Sequence, residues 1–292
     1  MVLAIAGACA WARPATATDR PPIVGVAHIA FQVSDLAKAR AFYGDLLGYE
    51  EIYREGDAAR PGSVFFKIND RQYVCIVPVP LPARDDRLSD VAFETTDASA
   101  LRAYLEEKHV DVSNAVLTLP GGDKFVRVID PDRHTVLFVQ YQPGSPMAAA
   151  KGTRLGPHRI STRLLHVGLT VADPTAADRL YKDVLGFSEI WRGGRTDTQT
   201  DWINMKVPDG TDYLEYMLVT GPVDRDRLGS AHHMALLVPD IQAALETVRS
   251  RPGGLDPKTV RTPQVGRNKR WQLNLFDPDG SRTELMEPFT MR

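Results

Sequence analysis

The chain has 292 residues, and its 35 lysines and arginines against 37 aspartates and glutamates give a formal net charge of −2. That balance excludes a strongly basic nucleic-acid binder, and the length suffices for one large or two ordinary domains. No apolar run reaches the roughly 18–20 residues that a spanning helix needs, and two cysteines, Cys9 and Cys75, cannot build a disulfide framework.

The chain opens on MVLAIAGACAW, an apolar run followed by Ala15-Thr16-Ala17, which has the small-x-small pattern of a signal-peptidase site. Residues 1–17 therefore read as a signal peptide, although no Lys or Arg precedes the run. The expectation is a periplasmic or secreted protein whose mature chain begins near Thr18. A lipid anchor on Cys9 fits less well, because Ala6 sits where a large aliphatic residue is usual. Without cleavage the segment is an Ala-rich tail and the protein is cytoplasmic.

From His28 onward the sequence repeats itself. HIAFQV is followed by AFYGDLLGYEEIYR, and HVGLTV, beginning at His166, is followed by RLYKDVLGFSEIWR. The histidines, Tyr43 and Tyr181, and Gly48 and Gly186 all keep an offset of 138, and Asp130-Pro-Asp132 matches Asp277-Pro-Asp279 at 147. A shared order of motifs with a drifting offset means a duplicated domain with loop insertions. The copies span 24–142 and 163–289, and 143–162, rich in Pro, Gly and Ala, reads as a linker.

Each copy divides once more. In the second, Val167, Leu169 and Val171 form one strand face, with His166, Gly168 and Thr170 on the other. Asp173 reads as a helix N-cap with Pro174 at the first position. Ala177, Leu180, Tyr181, Val184 and Leu185 give the apolar stripe, and Gly186 the stop. The pattern recurs about 67 residues on, with Asp240 as cap and Ile241, Ala244, Leu245 and Val248 as stripe. Short alternating segments follow each helix. The unit is one strand, one helix and about three strands, with starts near His28, Asp90, His166 and His233. Such a unit leaves its sheet open, and pairing two of them curls the sheets around a cleft. The fold class is α+β: four βαβββ modules paired into two curled-sheet domains.

The segments FYGDLLGYEE and LYKDVLGFSE, the openings HIAFQV, HVGLTV and HMALLV, and the endings DPDRHTVLFV and DPDGSRTELMEP resemble the vicinal oxygen chelate superfamily. Glyoxalase I, the fosfomycin and bleomycin resistance proteins, the type I extradiol dioxygenases and hydroxyphenylpyruvate dioxygenase belong to it. The resemblance implies a divalent metal held by first-strand and last-strand residues of each unit in a pair. In the second copy those positions are His166, Glu215, His233 and Glu284, all competent ligands. In the first they are His28, Cys75, Asp90 and Leu137, and Leu137 cannot bind a metal. One centre is expected, in the second domain, for Fe, Ni, Zn, Mn or Co. Parity agrees, because His166 and His233 lie opposite the apolar strand faces, whereas His232 shares one of them. Two carboxylates in apolar strands are costly to bury without a cation. His109, His134 and His158 read as surface residues and Cys75 as core.

The implied reactions differ in their use of the site. A glyoxalase-like isomerase or lyase uses the ion as a Lewis acid and a Glu at a ligand position as proton shuttle, which makes Glu215 and Glu284 the catalytic candidates. A ring-cleaving or 2-oxo-acid dioxygenase needs two His and one carboxylate with positions left open. Against ring cleavage, Asn274 stands where the extradiol enzymes carry a Tyr before the turn, VGRNKRW lacks their nearby His, and Glu215 crowds an open position. A non-enzymatic resistance or binding protein is a third reading, and the full ligand set fits it poorly. In GRNKRWQ, Arg267, Arg270 and Trp271 are candidates for holding an anionic or aromatic small-molecule substrate. The other reading makes that loop a solvated basic turn with Trp271 anchored in the core. Tyr213, Met217 and Asn274 are further candidates for the cleft lining. No nucleic acid or membrane span is expected, and the assembly is a monomer or homodimer.

Overall fold

In the computed structural model, residues 19–56, 61–80, 87–220, 231–252 and 260–289 are described. The signal-like segment 1–17 lies outside the described residues. The first copy forms strands β1 (Ile23–Val33), β2 (Glu50–Gly56), β3 (Pro61–Lys67), β4 (Tyr73–Pro78), β5 (Leu88–Thr95), β6 (Leu117–Thr118), β7 (Lys124–Ile129) and β8 (Thr135–Gln140). The second repeats them as β9 (Leu164–Val171), β10 (Ser188–Gly193), β11 (Trp202–Lys206), β12 (Tyr213–Leu218), β13 (His233–Leu237), β14 (Gln264–Val265), β15 (Trp271–Phe276) and β16 (Arg282–Met286).

The two sheets have the same order, β2-β3-β4-β1-β5-β8-β7-β6 and β10-β11-β12-β9-β13-β16-β15-β14. Within each module the helix carries the chain across, so the last strand returns parallel to the first, as in β12 beside β9 and β16 beside β13. The two first strands of a pair then lie side by side and antiparallel at the centre. Two curled sheets in an α+β arrangement result. No helix among the described residues is long and apolar enough to cross a membrane.

The helices cover one face of each sheet. Val167, Leu169 and Val171 are buried together with Ala177, Leu180, Tyr181 and Leu185, in a core continuous with that of the first copy. Asp173 accepts from the backbone N–H groups of Thr175 and Ala176, and Asp240 from those of Gln242 and Ala243. Gly186 ends its helix at φ +81°, a conformation that a side chain disfavours.

One departure from the expected helix is its width. After Pro174–Asp178 the winding becomes π-helical over Arg179–Val184, and likewise over Ala41–Leu46 in the first copy. The Leu185 N–H donates to Leu180 O at 2.9 Å, and that of Leu47 to Phe42 O at 3.0 Å. The apolar stripe gives no warning, because its contacts survive one extra residue per turn. Val184 ends half-buried, its carbonyl accepting from the Tyr104 hydroxyl of the other copy at 2.7 Å.

His134 is not a surface residue. It is buried, with Nδ1 2.8 Å from Asp130 Oδ2 and Nε2 3.0 Å from His232 Nε2. Its partner His232 belongs to the other copy, out of reach of a local reading. His109 and His158 are exposed as expected.

The segment between the sheets is packed. Its short helix Pro146–Ala149 buries Met147 against Ala30, Tyr73 and Cys75, on the site face of the first sheet. Lys67, fully buried, donates to Ala150 O, to Thr153 O at 2.9 Å and to Asp70 at 2.6 Å. These contacts bring the segment against the first copy's concave face.

Candidate metal centre

Register builds this site. Glu215 on β12 pairs with Gly168 on β9, and Gly168 with His233 on β13. One row along, His166 on β9 pairs with Ala235 on β13, and Ala235 with Glu284 on β16. Each row places two donors on either side of a residue with little or no side chain. A Cβ at Gly168 would collide with the His233 ring, so the glycine is what lets that imidazole lie over the central strand.

All four donors are buried, Glu215 least at 9% exposed. His166 Nε2 and His233 Nε2 face each other at 3.1 Å. Glu215 Oε2 is 3.3 Å from His233 Nε2 and 3.8 Å from His166 Nε2. Glu284 Oε2 is 3.5 Å and 3.9 Å from the same atoms. His166, His233 and Glu284 form one group whose donor atoms lie within 4.8 Å of one another. Glu215 points at the same space.

The electrostatics suit a cation. Burial lowers His166 to about 3, partly offset by Glu215, and burial also drives His233 well below the usual imidazole value. Both rings are therefore neutral near pH 7 and keep a lone pair for an ion. Burial lifts Glu284 to about 7, opposed by Arg282 and reinforced by Glu215. His233 Nδ1 lies 2.8 Å from Ala231 O, the kind of contact that orients a ligating imidazole. Two neutral imidazoles and two carboxylates meeting at one point fit a divalent first-row ion.

The first copy shows what the same frame does without the donors. Cys75–Ala30–Asp90 and His28–Ala92–Leu137 occupy the equivalent rows. His28 spends Nε2 on Asp90 Oδ1 at 2.8 Å, and Leu137 packs with Ala27, Ala92 and Val139. Both copies back the first histidine with a tyrosine, His28 on Tyr73 at 4.6 Å and His166 on Tyr213 at 4.5 Å.

A cleft of about 740 Å³ opens over the donors, lined by Glu215, Glu284, Asn274, Arg267, Arg282, Gln272, Trp191 and Trp202 among others. Asn274 pairs in register with Glu284, its Oδ1 buried without a partner among the described residues. Arg267 lines the cleft but is ion-paired with Asp197.

Four expected lining residues stand elsewhere. Trp271 shares parity with the buried Leu273 and Leu275 and packs on the core, as the anchor reading of that loop has it. Arg270 turns toward Met286, Nη1 to Sδ 4.0 Å. Tyr213 lies behind the His166 ring, and Met217, paired with Trp202, is outside the lining. Arg282, Asn204 and Gly168 were missed. Arg282 shares the parity of Glu284, and Asn204 sits opposite Glu215, but a strand's parity is uninformative until one of its members is known to face a site.

Comparison with known proteins bears on the family and the fold. A sequence profile described as the Glyoxalase/Bleomycin resistance protein/Dioxygenase superfamily matches residues 25–138 and 163–285. The uncharacterized protein YaeR of Escherichia coli K12 is 30% identical over 118 residues, 37% of this chain and 88% of YaeR. A solved variant of homoprotocatechuate 2,3-dioxygenase from Brevibacterium fuscum superposes with a TM-score of 0.68 at 21% identity, over 94% of this chain and 73% of that one. The 2,3-dioxygenase LapB from Pseudomonas sp. KL28 gives 0.68 at 18% identity, over 92% and 93%. At such identities the structural likeness speaks for the fold. The profile covers both copies, and the chain belongs to the glyoxalase/bleomycin resistance protein/dioxygenase superfamily.

Proposed function

We propose that the protein is a divalent-metal-dependent enzyme of the glyoxalase-like isomerase or lyase type, acting on a small substrate with two neighbouring oxygens. The observation that carries this reading is Glu215, whose carboxylate lies 3.3 Å from His233 Nε2 and 3.8 Å from His166 Nε2. His166, His233 and Glu284 would hold the ion, with Glu215 as fourth ligand or free base. The bound ion would act as a Lewis acid on the substrate oxygens. Glu215 would then take a proton from the adjacent carbon and return it to the neighbouring one, which isomerises the substrate without an oxidant.

A second reading, a ring-cleaving or 2-oxo-acid dioxygenase with iron on His166, His233 and Glu284, is favoured by two observations. Those three bring two imidazoles and one carboxylate within 4.8 Å of one another, and the two-domain frame superposes on dioxygenases over most of the chain. Metal analysis with an oxygen electrode separates the two. Nickel, zinc or cobalt without oxygen uptake supports the isomerase or lyase, and iron with uptake supports the dioxygenase. Glu215→Gln adds a second criterion. It should cost about 10²–10⁴-fold in rate if Glu215 shuttles the proton, and far less if three ligands suffice. An exported location is proposed from the signal-like start, and mass spectrometry of the native N-terminus tests it.

A further inference from the structure

Arg282 extends one row of the site, pairing in register with His233 on the side away from Gly168. Its Nη2 lies 2.6 Å from His233 Nδ1, and Ala231 O lies 2.8 Å from the same nitrogen. One ring nitrogen cannot serve both neighbours. It accepts from the guanidinium only when bare and donates to the carbonyl only when protonated. Once His233 Nε2 faces a cation, the single imidazole proton resides on Nδ1. Nδ1 then donates to Ala231, and Arg282 meets an N–H donor against donor.

The guanidinium must turn, and the cleft it lines is where it can go. Among the described residues, Arg282 Nε is buried without a partner and no carboxylate lies within ion-pair distance of this side chain. Of the cleft's acidic groups, Glu215 and Glu284 offset the two charges of the ion. Arg267 is neutralised by Asp197. One permanent positive charge is left over, on a planar fork that matches a planar anion.

We propose that Arg282 anchors a substrate carboxylate, so that the substrate is a chelating acid: two neighbouring oxygens for the ion and a separate carboxylate for the guanidinium. The proposal rests on the metal site described above, and it adds a coupling, because loading the ion frees Arg282 from His233.

The test uses cobalt(II)-loaded protein without oxygen, titrated with catechol, 2,3-dihydroxybenzoate and 3,4-dihydroxybenzoate while the cobalt absorption is followed. At least one acid should bind about tenfold or more tightly than catechol, the size of one charge-assisted bidentate contact. Arg282→Gln should abolish that preference. Arg282→Lys keeps the charge but loses the fork, so it should retain only part, and it decides the matter if the Gln variant does not load cobalt. Equal affinities in the wild type, or a preference that survives Arg282→Gln or is undiminished in Arg282→Lys, overturn the carboxylate anchor and leave the metal site standing. Failure of the wild type to take up one cobalt overturns both.

Discussion

The Tyr43 hydroxyl donates a 3.0 Å hydrogen bond to Asp277 Oδ2, across 234 residues and from one copy to the other. Tyr181 makes the reciprocal bond, also 3.0 Å, to Asp130 Oδ2. The two motifs whose repetition marks the duplication, the aromatic helix and the Asp-Pro-Asp turn, therefore clasp each other between domains. Each tyrosine sits on a π-helical stretch. The clasps are unequal. Asp277 Oδ2 has Tyr43 as its donor, while Asp130 Oδ2 is also met by His134 Nδ1. Tyr43→Phe should accordingly cost about 1–3 kcal/mol, and Tyr181→Phe less, because the second carboxylate keeps a partner. Urea denaturation of the two variants checks the order.

Asp277 also carries a pH signature. Burial raises it from 3.8 to about 6, against the hydrogen bonds from Ser281, Tyr43 and Asp279. The folded protein thus holds a proton that the unfolded chain has released. That contribution is complete below about pH 4, shrinks as pH rises toward 6 and is gone above it. Asp277→Asn should lack this dependence. The wild type should therefore lose stability relative to Asp277→Asn between pH 4 and 6, on the order of 3 kcal/mol in total. Parallel denaturation curves across that window measure the difference. A constant gap would mean that the carboxyl titrates normally in the fold.

Much of this architecture is legible in the chain itself. Period-two alternation at His28, His166 and His233 marks the central strands, and Asp173, Pro174 and Gly186 mark a helix's ends, because each is a local device. The four donors are legible once parity is combined with the family resemblance. What fails depends on a distant partner. His134 is buried by His232 and Asp130, and Met147 and Ala150, within 143–162, by Tyr73, Cys75 and Lys67. Trp271 leaves its basic loop for the core by strand parity, which the charges around it obscure.

Gly168 is the least conspicuous member of the site and among the least replaceable. Ala30 fills its place in the first copy, opposite Asp90 rather than a histidine. Gly168→Ala puts a methyl group into the His233 ring, so the ring must swing off the row it shares with Glu215. The strand itself accepts alanine readily. The expected result is a folded protein by circular dichroism with metal affinity reduced about 10–100-fold, as when a ligand loses its orientation. Unchanged affinity would show that His233 does not need its present position to bind.

Metal uptake should follow one carboxyl group on acidification. His166 is held to about 3 and His233 well below its usual value, so neither ring competes for protons near neutral pH. Glu284, raised to about 7 by burial, does. Without metal it is increasingly protonated below pH 7, and binding an ion must expel that proton. Affinity should therefore rise about tenfold per pH unit up to about 7 and level off above it. Glu284→Gln removes both the ligand and the titrating group, so it should bind weakly with a flat profile. Competition with a chelator of known pH dependence gives the slope. A slope near two would place a second proton on the site. A midpoint near the ordinary imidazole value that persists in Glu284→Gln would assign the titration to the histidines instead, and the burial that keeps them neutral would have to be less complete than their place beneath Tyr213 and Gly168 implies.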